Sequence, residues 1–201
     1  MKLLKPGQLP ILIFNVIMLG FFAVLYGSRG NYEFLMYIGV IIIILFVILA
    51  ANKKIAFPNA VLWALTAWGL MHMSGGAFYP GGTLLYKIIL IPISEEYGIF
   101  RFDQFVHVVG FGAATLAMYY LLKPLLRSNL TKWTALSIVV VMAGLGVGAL
   151  NEIIEFIAVV IVPETGVGGY NNTSLDLVAD LIGALIAIAY IQIVEKKRKI
   201  V

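Results

Sequence analysis

Apolar residues along this chain come in long unbroken runs, separated by short clusters of basic, polar and Gly- or Pro-containing positions. Neither the alternation of a half-buried strand nor the one-sided stripe of a soluble helix is present over those runs. A membrane-crossing helix needs about 20 largely apolar residues. Six runs meet or approach that length, at roughly 9–27, 32–51, 57–75, 104–123, 134–162 and 176–194. Between the third and fourth, residues 75–103 are apolar only in patches, and the best of these, 84–93, is too short to span. It is flanked or broken by Gly75-Gly76, Pro80-Gly81-Gly82, Pro92 and Glu95-Glu96, which predicts an interfacial or re-entrant piece. The expected fold class is therefore all-α: a polytopic membrane bundle of six transmembrane helices, forming a single integral membrane domain over 1–201.

Composition agrees with the pattern. The chain is 62% hydrophobic and 12% charged, against about 45–50% and about 25% for soluble domains, and its mean hydropathy is +1.01. There is no cysteine, which excludes disulfides, thiolate nucleophiles and thiolate metal sites and leaves only oxygen and nitrogen as metal ligands. The opening, MKLLKPGQLPILIFNVIMLGFFAVLYGS, has the basic start and apolar run of a signal peptide without a small-x-small cleavage site, so it reads as a first spanning helix. With Lys2 following Met1 and no cysteine, lipidation is not expected.

Charge fixes an expected orientation. In a six-span arrangement eleven of the fourteen Lys and Arg residues fall on one side: Lys2, Lys5, Lys53, Lys54, Lys123, Arg127, Lys132, Lys196, Lys197, Arg198 and Lys199. Only Arg29, Lys87 and Arg101 fall on the other. The positive-inside rule then places both termini in the cytoplasm and the protein in the cell inner membrane. The net charge of +4 is spread in clusters between apolar runs, as membrane topology produces, so nucleic acid is not an expected partner and membrane lipids are. Nine of the ten acidic residues lie on the opposite side or in the outer half, Glu195 being the exception. Acidic residues contribute little to topology, so their asymmetry points to chemistry.

That chemistry gathers in 151–184, where Glu152 and Glu155 near the end of the fifth run and Asp176 and Asp180 at the start of the sixth bracket a Gly-rich connection. Asp103 and His107, four apart, open the fourth run. Spacings of three and four put each pair on one helix face. One turn carries the second member of a pair about 6 Å along the axis. Because the fifth run travels opposite to the fourth and sixth, two layers are expected: His107, Glu152 and Asp180 deeper; Asp103, Glu155 and Asp176 above them. His72, near the end of the third run, is at a compatible height. Ionisable residues within a bilayer cost about 2.5–3.5 kcal/mol each on insertion scales and face a bundle interior or wet cavity. So many carboxylates cannot stay ionised together without a cation. The expected cofactor is a divalent metal ion, Zn, Mn, Fe or Mg, held by His72, His107, Glu152 and Asp180. Asp103, Glu155 and Asp176 are expected as further ligands or the general base. Asp103 and Asp176 also suit helix N-terminal capping.

Other features carry plainer readings. Gly144 and Gly148, Ala113 and Ala117, and Gly183 and Ala187 have the small-residue spacing that lets helices approach closely in lipid. Glu95, Glu96 and Glu164 read as solvated loop charges, Arg101 as a ligand for a substrate phosphate or, the favoured reading, an anchor at headgroup level, and Asn171-Asn172-Thr173-Ser174 as a match to the short glycosylation pattern.

Taken together, LMHMSGG, LLYKIIL, FDQFVHVVGFG, LNEIIEF and SLDLVADLIGA, spread over about 57–190, resemble a family of small bacterial inner-membrane proteins, the YjdF-like family, related to the VanZ-like group. The matching positions are His72, Gly75, Asp103, His107, Gly110, Glu152, Glu155, Asp176, Asp180, Gly183 and Ala184. The VanZ-like association with glycopeptide resistance implies an envelope substrate. The functional expectation is a metal-dependent hydrolase or transferase acting on a lipid or lipid-linked envelope substrate through an outward-facing site. Two alternatives stand beside it: a non-enzymatic protein whose acidic cluster carries a cation or protons, and a structural ion site in an interaction protein.

Overall fold

The computed structural model describes residues 3–94, 96–126 and 133–198, with side chains to 196. Lys2, Glu95, Arg127, Lys132 and Lys199, which enter the charge count, lie outside the described residues, as do the side chains of Lys197 and Arg198. Six helices follow one another: α1 (Leu9–Ser28), α2 (Tyr32–Ile55), α3 (Asn59–Ala77), α4 (Phe102–Leu122), α5 (Trp133–Ile161) and α6 (Tyr170–Arg198). Among the described residues, five are long and apolar enough to cross a membrane. The exception is α3, at 19 residues, where His72, Ser74 and the glycines around them dilute an otherwise apolar run.

Helix ends follow local chemistry. Pro58 precedes α3 and Pro10 sits in the first turn of α1, where a missing N–H costs nothing. The Asn31 side chain accepts from the Phe34 N–H and caps α2. The largest departure from the sequence expectation is the start of α6, which begins at Tyr170 instead of near 176. Asn171, Asn172, Thr173 and Ser174 are therefore helical, and Asp176 lies well inside the helix, where an N-terminal cap is not its role. Polar residues sustain a helix there because Asn172 turns into the bundle and bonds to Asp103 and Asp176.

The connection between α3 and α4 is not helical. After two short 3-10 turns it forms an antiparallel hairpin, β1 (Ile89–Ser94) with β2 (Ile99–Arg101). Ile89 pairs with Arg101 and Ser94 with Ile99, with an irregular register between. Leu90, Ile91, Ile93 and Tyr97 project outward from it, exposed.

Packing is tightest between α4 and α6. A β-carbon at Gly183 would strike the Val108 carbonyl and the Gly112 backbone nitrogen, so the two backbones touch there. Likewise Gly144 on α5 makes room for Thr115, Gly110 for Trp68, Gly75 for Tyr86 and Gly76 for Phe34. At one end of the bundle α1, α2 and the start of α3 are tied by a polar knot. Asn52 Nδ2 donates to Gln8 Oε1 at 2.7 Å, Gln8 Nε2 donates to the Phe57 carbonyl at 3.0 Å, and the Phe57 N–H donates to Asn52 Oδ1 at 2.9 Å. Lys123 pairs with Glu195 at that same end. At the other end gather the α1–α2 corner, the hairpin and the α5–α6 loop, around an aromatic cluster of Phe22, Tyr26, Phe34 and Tyr37.

Candidate functional site

His107 is the centre of the acidic cluster. One turn into α4 it is buried, and its Nδ1 lies 2.9 Å from Asp180 Oδ1 on α6 and 4.0 Å from Glu152 Oε1 on α5. A carboxylate only accepts, so the proton of this bond belongs on Nδ1 and leaves the Nε2 lone pair free. The three residues expected in the deeper layer are thus brought together.

The upper layer also forms. Asn172 reaches from α6 to donate to Asp103 Oδ2 at 3.2 Å and to Asp176 Oδ2. Glu155 accepts from Asn151 Nδ2 at 2.9 Å, one turn back on its own helix. His107 belongs to both layers: Asp103, His107 and Asp176 can each present one ligand atom within 4.8 Å of the others, and so can His107, Glu152 and Glu155.

Buried oxygens without partners mark the same place. Both oxygens of Glu152, Oδ1 of Asp176 and Oδ2 of Asp180 are enclosed and accept no hydrogen bond among the described residues. Asp176 and Asp180 are fully buried. Leaving a buried carboxylate oxygen unpaired costs about 1–3 kcal/mol or more, a cost that protonation, water or a bound cation would each offset. The donor set of one imidazole nitrogen and several carboxylate oxygens fits Zn, Mn or Fe, and its oxygen part fits Mg.

Gly148 supplies the space. A β-carbon at this position on α5 would fall on the Asp180 carboxylate. Of the glycines read only as packing contacts, this one makes room for a site residue.

His72 stands apart from both ligand sets. Its Nδ1 is 2.6 Å from the Tyr86 hydroxyl, which also lies 2.8 Å from the His72 carbonyl. A phenol has one proton, so both contacts are satisfied when Tyr86 donates to the carbonyl and accepts from Nδ1–H. Burial holds the Tyr86 phenol well above its ordinary value, and it stays protonated. The His72 ring stacks on Trp68, with centroids 5.6 Å apart.

A cavity of about 310 Å³ opens over the cluster, lined by His72, Tyr86, Asp103, Glu155 and Asn172 and also by Glu33, Lys87, Arg101 and Gly166. Asp103 and Glu155 face this space, whereas Asp176 lies behind it. A neighbouring hollow of about 490 Å³, between the α1–α2 corner and the α5–α6 loop, shares Glu33, Phe34, Leu84 and Gly166 with it. There the Gly166 N–H donates to Glu33 Oε2 at 2.7 Å, and Tyr37 donates to the other oxygen at 3.2 Å.

Sequence reasoning missed Glu33, Tyr37, Tyr86 and the bridging role of Asn172. Glu33 follows the Asn31 cap in the first turn of α2, the ordinary place for an acid that favours a helix N-terminus, and that masked it. Asn172 was absorbed by the glycosylation pattern. The visible signal for it was polarity recurring four residues before Asp176.

The fold and the cluster define an integral membrane helix bundle with a buried His and carboxylate constellation at one end. Residues 9–197 match the model of the family described as Predicted membrane protein (DUF2238), and the chain belongs to that family. The match includes the first two helices. No curated protein and no solved structure matches the chain.

Proposed function

We propose that the protein is a metal-dependent hydrolase or transferase of the inner membrane, acting on a lipid or lipid-linked envelope substrate at a site facing outward. The observation that carries this is the set of unpaired buried carboxylate oxygens around His107, beneath a cavity large enough for a headgroup. His107 would hold the ion with Glu152 and Glu155 or with Asp103 and Asp176, the two sets whose ligand atoms lie within 4.8 Å of one another. Asp180 orients His107, as carboxylates behind metal-bound histidines commonly do. When bound, a divalent ion supplies Lewis acidity and a water acidic enough to ionise near neutral pH. Glu155 and Asp103, which line the cavity, are placed to take a proton from a nucleophile there.

The basic residues of the opposite end support a cytoplasmic location for both termini, with α3 as a sixth crossing sheltered by its neighbours. The apolar, exposed hairpin suits the membrane interface. The likeness of the motifs to the YjdF-like family and the VanZ-like group supports an envelope substrate. A cation carrier is less well supported, because the halves of α4, α5 and α6 away from the cluster are almost wholly apolar.

The test is elemental analysis of the purified protein together with turnover of envelope lipid extract. Stoichiometric metal, lost on His107→Ala with Glu152→Gln, and metal-dependent turnover lost on Glu155→Gln are expected. Absence of metal from the native protein would overturn the reading. Metal bound without turnover on any lipid fraction would leave a structural ion site instead.

A further inference from the structure

The cavity over the cluster is lined by residues of both signs. Arg101 and Lys87 share it with Glu33, Asp103 and Glu155, yet among the described residues neither cation forms an ion pair. The Arg101 Nε is enclosed and has no hydrogen-bond partner among them. An anchor arginine at headgroup level extends its guanidinium to water or lipid phosphate. Here the side chain folds back. Gly98, in the hairpin turn at φ +62, lies so close to the Arg101 guanidinium that a β-carbon would overlap it. The backbone is equally fixed: Arg101 pairs with Ile89, its N–H donates to Gln104 Oε1 at 2.6 Å, and the Phe102 N–H donates to the Ile88 carbonyl at 2.8 Å. Helix α4 begins at the next residue, so its positive end adds to the field at the same wall.

We infer that Arg101 and Lys87 form an anion subsite that holds a phosphate group of the substrate in the cavity above the acidic cluster. This rests on the reading of that cluster as a metal centre. Arginine matches phosphate through a planar fork of donors, and lysine contributes a mobile point charge at the rim. At about 310 Å³ the cavity takes a phosphorylated headgroup, while the rest of a lipid remains outside it. The substrate class narrows accordingly to phosphate esters, with the ester group between two cationic side chains and the metal ligands.

The experiment uses the full-length protein, loaded with Mn²⁺ in dodecylmaltoside micelles, which contain no phosphate. Binding of inorganic phosphate is measured by calorimetry in one arm, and of dimyristoyl phosphatidic acid in mixed micelles in the other, with Mn²⁺ content determined on every sample. Saturable binding is expected in at least one arm, and which arm binds decides between a free and a lipid-borne phosphate. Arg101→Gln should weaken it about tenfold or more and Lys87→Gln severalfold, with Arg101→Lys recovering part of the loss and Mn²⁺ content unchanged throughout. Lys87 is exposed, so its variant reports even if an Arg101 variant fails to fold. No saturable binding in either arm, or affinity unchanged in Lys87→Gln and Arg101→Gln, overturns the subsite. Phosphate bound through Arg101 by protein that retains no Mn²⁺ would instead overturn the metal reading and leave the subsite standing.

Discussion

At the scale of single residues, the chemistry rests on a few atoms whose surroundings no list of residue types reveals. His107 and Asp180 were readable, because ionisable groups a full turn inside apolar runs have few uses other than with one another. The division of labour between the acids was not. Asp180 serves His107 directly, Asp176 sits behind the cavity with one oxygen unmatched, and Glu155 faces the open space. These differences depend on side-chain direction across three helices. Gly148 is the sharpest instance, since spacing alone made it a packing glycine while its lack of a β-carbon leaves room for the Asp180 carboxylate. Gly148→Ala should keep the fold and every charge, yet lower metal affinity at least tenfold by displacing that carboxylate, an order typical for disturbing the group behind a metal-bound histidine. Equilibrium dialysis against Mn²⁺ or Zn²⁺ reads the change. Gly20→Ala, where open space surrounds the position, should alter nothing.

Among the elements, the helices were legible because run length and apolarity are properties of contiguous sequence. Their ends were less so. The start of α6 was hidden by Asn171, Asn172 and Thr173, which resemble a loop until Asn172 is seen bridging Asp103 and Asp176. The hairpin was hidden by Pro92 and by an alternation too short to register. The contact of α4 with α6 admits no side chain at Gly183, so Gly183→Leu should force the helices apart. A loss of about 1–3 kcal/mol, the usual range for overpacking, is expected in reversible unfolding. Asn52→Ala should also destabilise, by roughly 1–3 kcal/mol, because it leaves the Phe57 N–H without its acceptor and the Leu3 carbonyl without its donor, while Gln8 keeps its bonds to Phe57 and Lys5. The two variants separate in their ligand binding. The first should disturb metal affinity, since it moves His107 against Asp180, and the second should not.

For the molecule as a whole, polarity is divided between two ends: amides and the Lys123–Glu195 pair at one, acids and histidines at the other. The basic clusters set the expected orientation of this axis, and the absence of cysteine makes it simple to check. Single replacements Glu164→Cys and Leu125→Cys occupy exposed positions at opposite ends. A membrane-impermeant maleimide applied to intact cells with a permeable outer envelope should label the first and spare the second. The reverse pattern would turn the site to the cytoplasm and remove the case for an envelope substrate.

The hydrogen bond from Gly166 to Glu33 also bears on how large a molecule the cavity would admit. With Phe34 and Leu84 it forms the wall shared by two hollows of about 310 and 490 Å³, and with the α5–α6 loop lifted from α2 they would join into one chamber more than twice the size of the first alone. A ruler made from headgroups of increasing bulk should therefore show two cut-offs, a short one while the loop is held and a longer one in Glu33→Ala, which removes the hydrogen bond that holds Gly166 against α2.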